Sequence, residues 1–213
     1  MAYRERYGEK AAFLYCLAID PIVRPLRPRI ADVLRDRRTQ AVLDVACATG
    51  AQARFLAARG LQVVGVDLSL AMTTRAARRS PEIPFICASA LSLPFPTESF
   101  DGAILSLALH EHPEEERQAM VSEALRVLRP TGTLVIADFS PPRCARWHLP
   151  WQVIRLIEHT AGQEHREGFR DYVRHGALAG LLARLALVAD QAQASHFGCI
   201  SIVAVSKSAA SSR

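Results

Sequence analysis

Val42-Leu43-Asp44-Val45-Ala46-Cys47-Ala48-Thr49-Gly50 is the stretch that decides the fold. Val42 to Val45 form an apolar run interrupted by one acid, which reads as a buried strand. The small residues that follow read as a tight turn, and apolar periodicity resumes after Gly50 as a helix. Such a strand–turn–helix unit can hold an anionic ligand group on free backbone N–H groups. The next apolar strand, Leu61 to Val66, ends on Asp67, where a carboxylate is placed to accept from a ribose diol. The plainer alternative for Asp44 is that it caps the turn.

Outward from this unit the chain alternates strand and helix. Strands are expected at 41–45, 61–67, 84–88, 102–108 and 133–139, and helices near 50–59, 70–79 and 114–128. This alternation predicts an α/β, doubly wound, mostly parallel sheet with helices on both faces. Ligands of such sheets bind outside the carboxyl ends of the strands. Asp44, Asp67, Ser89, Ser106 and Asp138 all fall near those ends. Before the first strand, Tyr3 to Arg38 is helical in pattern, interrupted by Pro21, Pro25 and Pro28. After the fifth, Trp147 to His159 is amphipathic, and a second helical region around Phe169 to Leu185 breaks near Gly176. Leu187–Ser195 and Cys199–Ser206 read as two closing strands.

The turn discriminates between two ligand families. A dinucleotide site needs G-x-G-x-x-G so that a pyrophosphate can approach the backbone. Those positions hold Ala46, Ala48 and Ala51, so a NAD-type oxidoreductase is disfavoured. The pattern instead resembles the hxDxGxGxG motif of class I S-adenosylmethionine (SAM)-dependent methyltransferases. Asp44 and Gly50 match, while Ala46 and Ala48 stand in for the first two glycines. Leu93-Pro94-Phe95-Pro96-Thr97-Glu98-Ser99-Phe100-Asp101 closely resembles the LPFPDxSFD segment of the ubiquinone- and menaquinone-biosynthesis-like (type-11) members. Glu123 to Leu134 is similar to their E-x-x-R-V-L-x-P-G-G-x-L. The resemblance covers about residues 41 to 140.

It implies a Rossmann-like, seven-stranded sheet with a reversed C-terminal hairpin strand. It implies a helical lid over 1–40, a methyltransferase domain over 41–207 and a disordered tail over 208–213. SAM is the implied cofactor, held by Asp44, Ala46, Ala48, Thr49 and Gly50 from the first turn and by Asp67, Leu68 and Met72 from the second. Ser89, Ala90 and Leu91 from the third strand end and Ser106 from the fourth complete the set. Ser89 takes the place of the family's usual Asp; its hydroxyl can still accept a hydrogen bond, or it is only a strand-end turn residue. The implied activity is methyl transfer to a small-molecule, quinone-like or lipid-like acceptor. Tyr7 (with Tyr3), His110, His112 and Trp147 would line the acceptor pocket. Surface tyrosines on a fraying helix are the alternative for Tyr3 and Tyr7.

Ser106-Leu-Ala-Leu-His110-Glu111-His112 follows the fourth strand. Methyl transfer is an in-line displacement in which alignment supplies much of the rate, and a base helps only where the acceptor must lose a proton. His110 is the candidate base, with Glu111 to orient it; the competing role is a histidine packed against the helix that begins near Glu114. Two histidines two apart make a weak metal signal, and His148, His159, His165, His175 and His196 show no ligand spacing, so no metal site is expected. A non-catalytic SAM-binding protein on the same fold also remains open. Neither a G-x-S-x-G elbow nor a P-loop is present.

Composition narrows the classes further. The 213 residues, 50% of them hydrophobic, suit one sizeable core. The net charge of +5 comes almost wholly from Arg, Lys10 and Lys207 being the lysines, and is too scattered for a nucleic-acid track. The Arg-rich run from Arg24 to Arg38 reads as a solvated helix face before an anionic-membrane patch. Five cysteines without C-x-x-C suggest buried free thiols in a reducing compartment. With no signal-like segment and no bilayer-spanning run, a cytoplasmic protein is expected; the oligomeric state is not legible.

Overall fold

In the computed structural model, residues 23–142, 148–160 and 162–210 are described. Helix α1 (Leu26–Asp36) leads into β1 (Ala41–Val45), α2 (Ala51–Ala57), β2 (Gln62–Asp67), α3 (Leu70–Arg79), β3 (Phe85–Cys87) and β4 (Phe100–Ser106). A single 3-10 turn (Leu109–Glu111) then precedes α4 (Glu114–Val127) and β5 (Leu128–Phe139). Helices α5 (His148–Thr160), α6 (Gln163–Arg174) and α7 (Ala177–Arg184) follow. Strands β6 (Gln191–Ser195) and β7 (Ile200–Ser206) close the sheet, and Lys207–Ala210 adds one helical turn.

The seven strands lie in the order β3-β2-β1-β4-β5-β7-β6. Strands β1 to β5 are parallel where they pair, and β7 runs antiparallel to both β5 and β6. This is the expected architecture, with β7 as the reversed strand. Its central strands read as apolar runs because both faces are covered. On one face Ile30 and Leu34 of α1 and Ala53 and Leu56 of α2 pack on Val42, Ile104 and Val135. On the other, Met120, Val121 and Ala124 of α4 and Leu178 and Leu181 of α7 pack on Leu43, Leu105 and Ile136.

Four details depart from the expectations. Strand β5 starts at Leu128 rather than 133, running through Pro130 and Gly132 because the register shifts between Phe100 and Gly102 of β4. A bulge of this kind accommodates a proline that has no N–H for the ladder. Strand β4 ends at Ser106 rather than at residue 108, because Leu107 takes a left-handed φ of 54° that turns the chain. Ser208 to Ala210 lie in the closing helical turn, where a disordered tail was expected. Cys47 and Cys199 are buried free thiols as expected, but Cys87 is exposed. Cys16, Cys144, Tyr3, Tyr7 and Trp147 lie outside the described residues. The described part of the expected lid, α1, is a packed layer helix whose start, with Val23 and Arg27, reaches over the end of β1.

Candidate functional site

The β1 turn is built from left-handed residues. Ala46, Ala48 and Gly50 have φ of 57°, 48° and 68°. An L side chain in this region costs roughly 1–2 kcal/mol per residue, so two alanines carry strain that glycine would not. At Gly50 strain is compounded by space: an added Cβ would sit 2.5 Å from the Phe85 ring of β3. The position that kept its glycine is thus one where a methyl group has nowhere to go.

Hydrogen bonding corrects one expectation. The turn does not offer a row of free N–H groups to an anion. Cys47 N–H donates to Val66 O, Gly50 N–H to Cys47 O, and Ala48 N–H to Asp67 Oδ2 at 2.8 Å. Asp67 Oδ1 accepts from Ser69 N–H at 2.9 Å, so this carboxylate ties the first turn to the second. Burial pushes the Asp67 pKa up, against the pull of these N–H groups.

Two adjoining cavities follow the carboxyl ends of β1 to β4. The larger, about 120 Å³, is lined by Asp67, Leu68, Ser69, Met72, Ser89, Ala90, Leu91, Ser106, Glu111, His112 and Glu116, among others. The smaller, about 50 Å³, is lined by Asp44, Thr49, Gln52, Arg27 and Val23. Ala46, Ala48, Ser106 and Leu107 border both. The structure therefore brings together all of the expected cofactor residues except Gly50, which lines neither and shapes the turn from behind. Ser89 Oγ accepts from Leu91 N–H at 3.1 Å, the turn-residue role, while still facing the cavity.

Asp44 is buried, and its Oδ2 has no hydrogen-bond partner. Burial, with Asp67 adding to it and the Ala53 N–H opposing, pushes the Asp44 pKa up to about 7. In the same cavity Gln52 Nε2 is a buried donor without a partner. A buried polar group left unpaired costs about 1–3 kcal/mol, so an acceptor and a donor stranded in one cavity mark a place for a ligand.

His110 stands apart from the cavities. It is 3% exposed, and its ring packs among Phe139, His165 and Phe169. Its Nδ1 meets Asp138 Oδ1 at 2.8 Å. Asp138, wholly buried at the end of β5, also accepts from the N–H groups of Leu109, His110 and Phe139. Burial alone would lower the His110 pKa; Asp138, with Glu111 and Glu158 behind it, overrides burial and pushes it up to about 9. A buried imidazole held by Asp138 that lines neither cavity is poorly placed to act as a general base there. The geometry favours the packing alternative for His110 over the candidate base. His112, which faces the cavity, pairs through Nδ1 with Glu116 Oε2 at 2.7 Å.

Sequence reasoning missed the groups that hold this turn. Arg117 is fully buried and donates to Leu109 O, Gly168 O, Glu114 and Asp171. It clamps α6 against the turn so closely that a Cβ on Gly168 would lie 2.6 Å from Glu111 O. Glu158 and His165 arrive from α5 and α6 to face His110. No local spacing could have signalled them.

Residues 42–132 match the family profile described as a methyltransferase domain. Over that stretch the chain is similar to methyltransferase domains. Demethylmenaquinone methyltransferase of Renibacterium salmoninarum is 44% identical over 103 residues, 48% of this chain and 43% of that one. The enzyme of that name from Thermus thermophilus is 33% identical over 133 residues, 60% of each chain. The chain thus spans about half the length of the curated relatives it matches. Among solved structures, magnesium protoporphyrin IX methyltransferase from Synechocystis with bound S-adenosylhomocysteine (SAH) superposes with a TM-score of 0.62 at 18% identity, over 85% of this chain and 82% of that one. An O-methyltransferase family protein from Burkholderia thailandensis gives 0.72 at 15% identity, over 95% of this chain and 61% of that one. These likenesses establish the fold of the domain. No helix among its described residues is long and apolar enough to cross a membrane.

Proposed function

We propose that this domain binds SAM and transfers its methyl group to a small, apolar acceptor of the quinone or lipid-like kind. The observation that carries the reading is the pair of stranded groups in the smaller cavity. Asp44 Oδ2 is an acceptor and Gln52 Nε2 a donor, the complement of the ammonium and carboxylate of an α-amino acid. The larger cavity offers Asp67 and Ser89 as acceptors for an adenosine, and Met72 and Leu91 as apolar walls.

Electrostatics favour the same ligand over a dinucleotide. Asp44, Asp67, Glu111 and Glu116 line the two cavities, and three N–H groups of the turn are already bonded. A pyrophosphate would meet carboxylates and few donors there, whereas a sulfonium and an ammonium would meet opposite charge. The bound cofactor would supply an electrophilic methyl group on sulfur. The protein's part is alignment: Asp44 and Gln52 fix one end of the ligand, Asp67 and Ser89 the other, and Ser106 and Leu107 the wall between. The acceptor approaches past His112 and Glu111. A groove of about 700 Å³ between α5 and α6 sets Arg155, Arg166, Arg170 and Arg174 beside Trp151, Leu156 and Phe169, so support for an apolar acceptor comes from the names of the curated relatives. The expected contributions of Tyr7 and Trp147 belong to this proposal.

Calorimetry with SAM, SAH and NAD, followed by radiolabelled methyl transfer to demethylmenaquinol, tests the reading. Binding of SAM and SAH but not NAD, with label in the quinol, is the expected result. Binding without transfer to any small acceptor would favour the non-catalytic SAM-binding alternative. Binding of NAD alone, or methylation of RNA or DNA, would overturn the reading.

A further inference from the structure

Two histidines meet a carboxylate where the 3-10 turn packs on α5 and α6, and in each the far ring nitrogen is already held. Asp138 Oδ1 takes His110 Nδ1 at 2.8 Å, and Glu158 Oε2 takes His165 Nε2. The nitrogens left over, His110 Nε2 and His165 Nδ1, both face Glu111: Nε2 is 3.9 Å from Oε1, and Nδ1 is 3.7 Å from Oε2. One donor atom from each of His110, Glu111 and His165 lies within 4.8 Å of the other two. We propose that His110, Glu111 and His165 form a binding site for a divalent transition metal of the zinc, iron or manganese class.

Five features support this. A metal-bound imidazole characteristically gives its other nitrogen to a carboxylate, which fixes ring and tautomer; here both rings have such a partner. Two imidazoles and one carboxylate suit borderline metals and leave coordination positions open. Donor atoms sharing one metal at about 2.0–2.2 Å stand roughly 3.3–3.6 Å apart, near the 3.9 and 3.7 Å that separate Glu111 from the two rings. Asp138, Glu111 and Glu158 surround the two rings with acceptor charge. An ion has a way in, because Glu111 also lines the larger cavity at the strand ends. The sequence-local His110–His112 pair is not the site, since His112 turns away to Glu116. The competing account is an ion-pair network that only fastens α6 to the turn. This site does not depend on methyl transfer.

Tag-free protein, stripped with chelator and desalted, is titrated with Zn2+ by calorimetry and with Co2+ by visible spectroscopy. One equivalent of Zn2+ is expected, with cobalt d–d bands and no thiolate charge-transfer band. Glu111→Gln, a near-isosteric change in a partly exposed side chain, and His165→Ala should each weaken Zn2+ at least tenfold. Asp138→Asn, acting through His110, should weaken it about 10–100-fold. Thermal melts of each variant separate lost ligation from lost fold. The proposal is overturned if the parent takes up no stoichiometric metal, if Glu111→Gln melts like the parent and keeps its affinity, or if cobalt shows thiolate ligation.

Discussion

The two sides of the strand ends are put together in different ways. The β1–β3 side takes its working groups from consecutive strand ends, Asp44 to Gln52, Asp67 to Met72 and Ser89 to Leu91. The β4–β5 side draws His110, Asp138, Glu158 and His165 from four elements and locks them with Arg117. The first is a set of local turns on a rigid parallel sheet. The second exists only after α5 and α6 have docked. The two should therefore fail separately.

The largest effect is expected from Arg117→Met. Removing one partner from a buried charge network costs about 3–5 kcal/mol. The melting temperature should fall sharply while SAM affinity, measured by calorimetry on the still-folded fraction, stays within a few-fold. Loss of SAM binding in step with stability would show the two sides to be one unit.

Asp44→Asn probes the local side through pH. The folded-state pKa of Asp44 lies above its unfolded value, so its stabilising contribution is full below about pH 4 and is lost as pH rises to about 7. The variant has no such loss. Urea melts should show it gaining on the parent between pH 4 and 7 and holding a constant advantage above that. The ceiling is roughly 1.4 kcal/mol per unit of displacement. Parallel pH curves for the two proteins would refute the buried, unpaired carboxyl.

Asp67→Ala should cost roughly 1.5–3 kcal/mol of SAM binding, the range for a hydrogen bond to a charged group. Because Asp67 also holds the Ala48 and Ser69 N–H groups, part of this loss comes from a loosened turn. Unchanged affinity in calorimetry would remove Asp67 from the site. The smallest effect belongs to the double change Ala46→Gly and Ala48→Gly. Relief of left-handed strain, about 1–2 kcal/mol per residue, is offset by about 0.4–1 kcal/mol of extra unfolded-chain entropy. A net gain of about 0–1.6 kcal/mol per site in chemical denaturation is expected, and a net loss would contradict the φ values of this turn.

What was legible in the sequence follows the same division. Strands β1 and β2, the helix between them and the acid at each strand end are written in runs of neighbouring residues, and the turn motif locates the cavity. Two things on that side escaped: the internal bonding of the turn N–H groups, and the stranded Gln52, a polar helix residue like many others. On the far side, His110 is visible as a histidine beyond a strand, but its character is not. Asp138 and Glu158 raise its pKa from 28 and 48 positions away in the chain, and a buried Arg117 looks like any solvated helix arginine. Chemistry set by tertiary neighbours leaves no local pattern to read.

The placement of β7 also bears on how the chain is made. Strand β5, apolar from Leu134 to Ala137, finds its second neighbour only in Ile200–Ser206. A ribosome that has delivered β1 to β5 has released most of the seven-stranded sheet, whose β5 edge still lacks a partner. Such an edge is a template for other chains. During translation of residues 140–206 the nascent protein is at its most vulnerable to aggregation, and a chaperone that shields β5 in that interval would raise the yield of native protein without touching the finished fold.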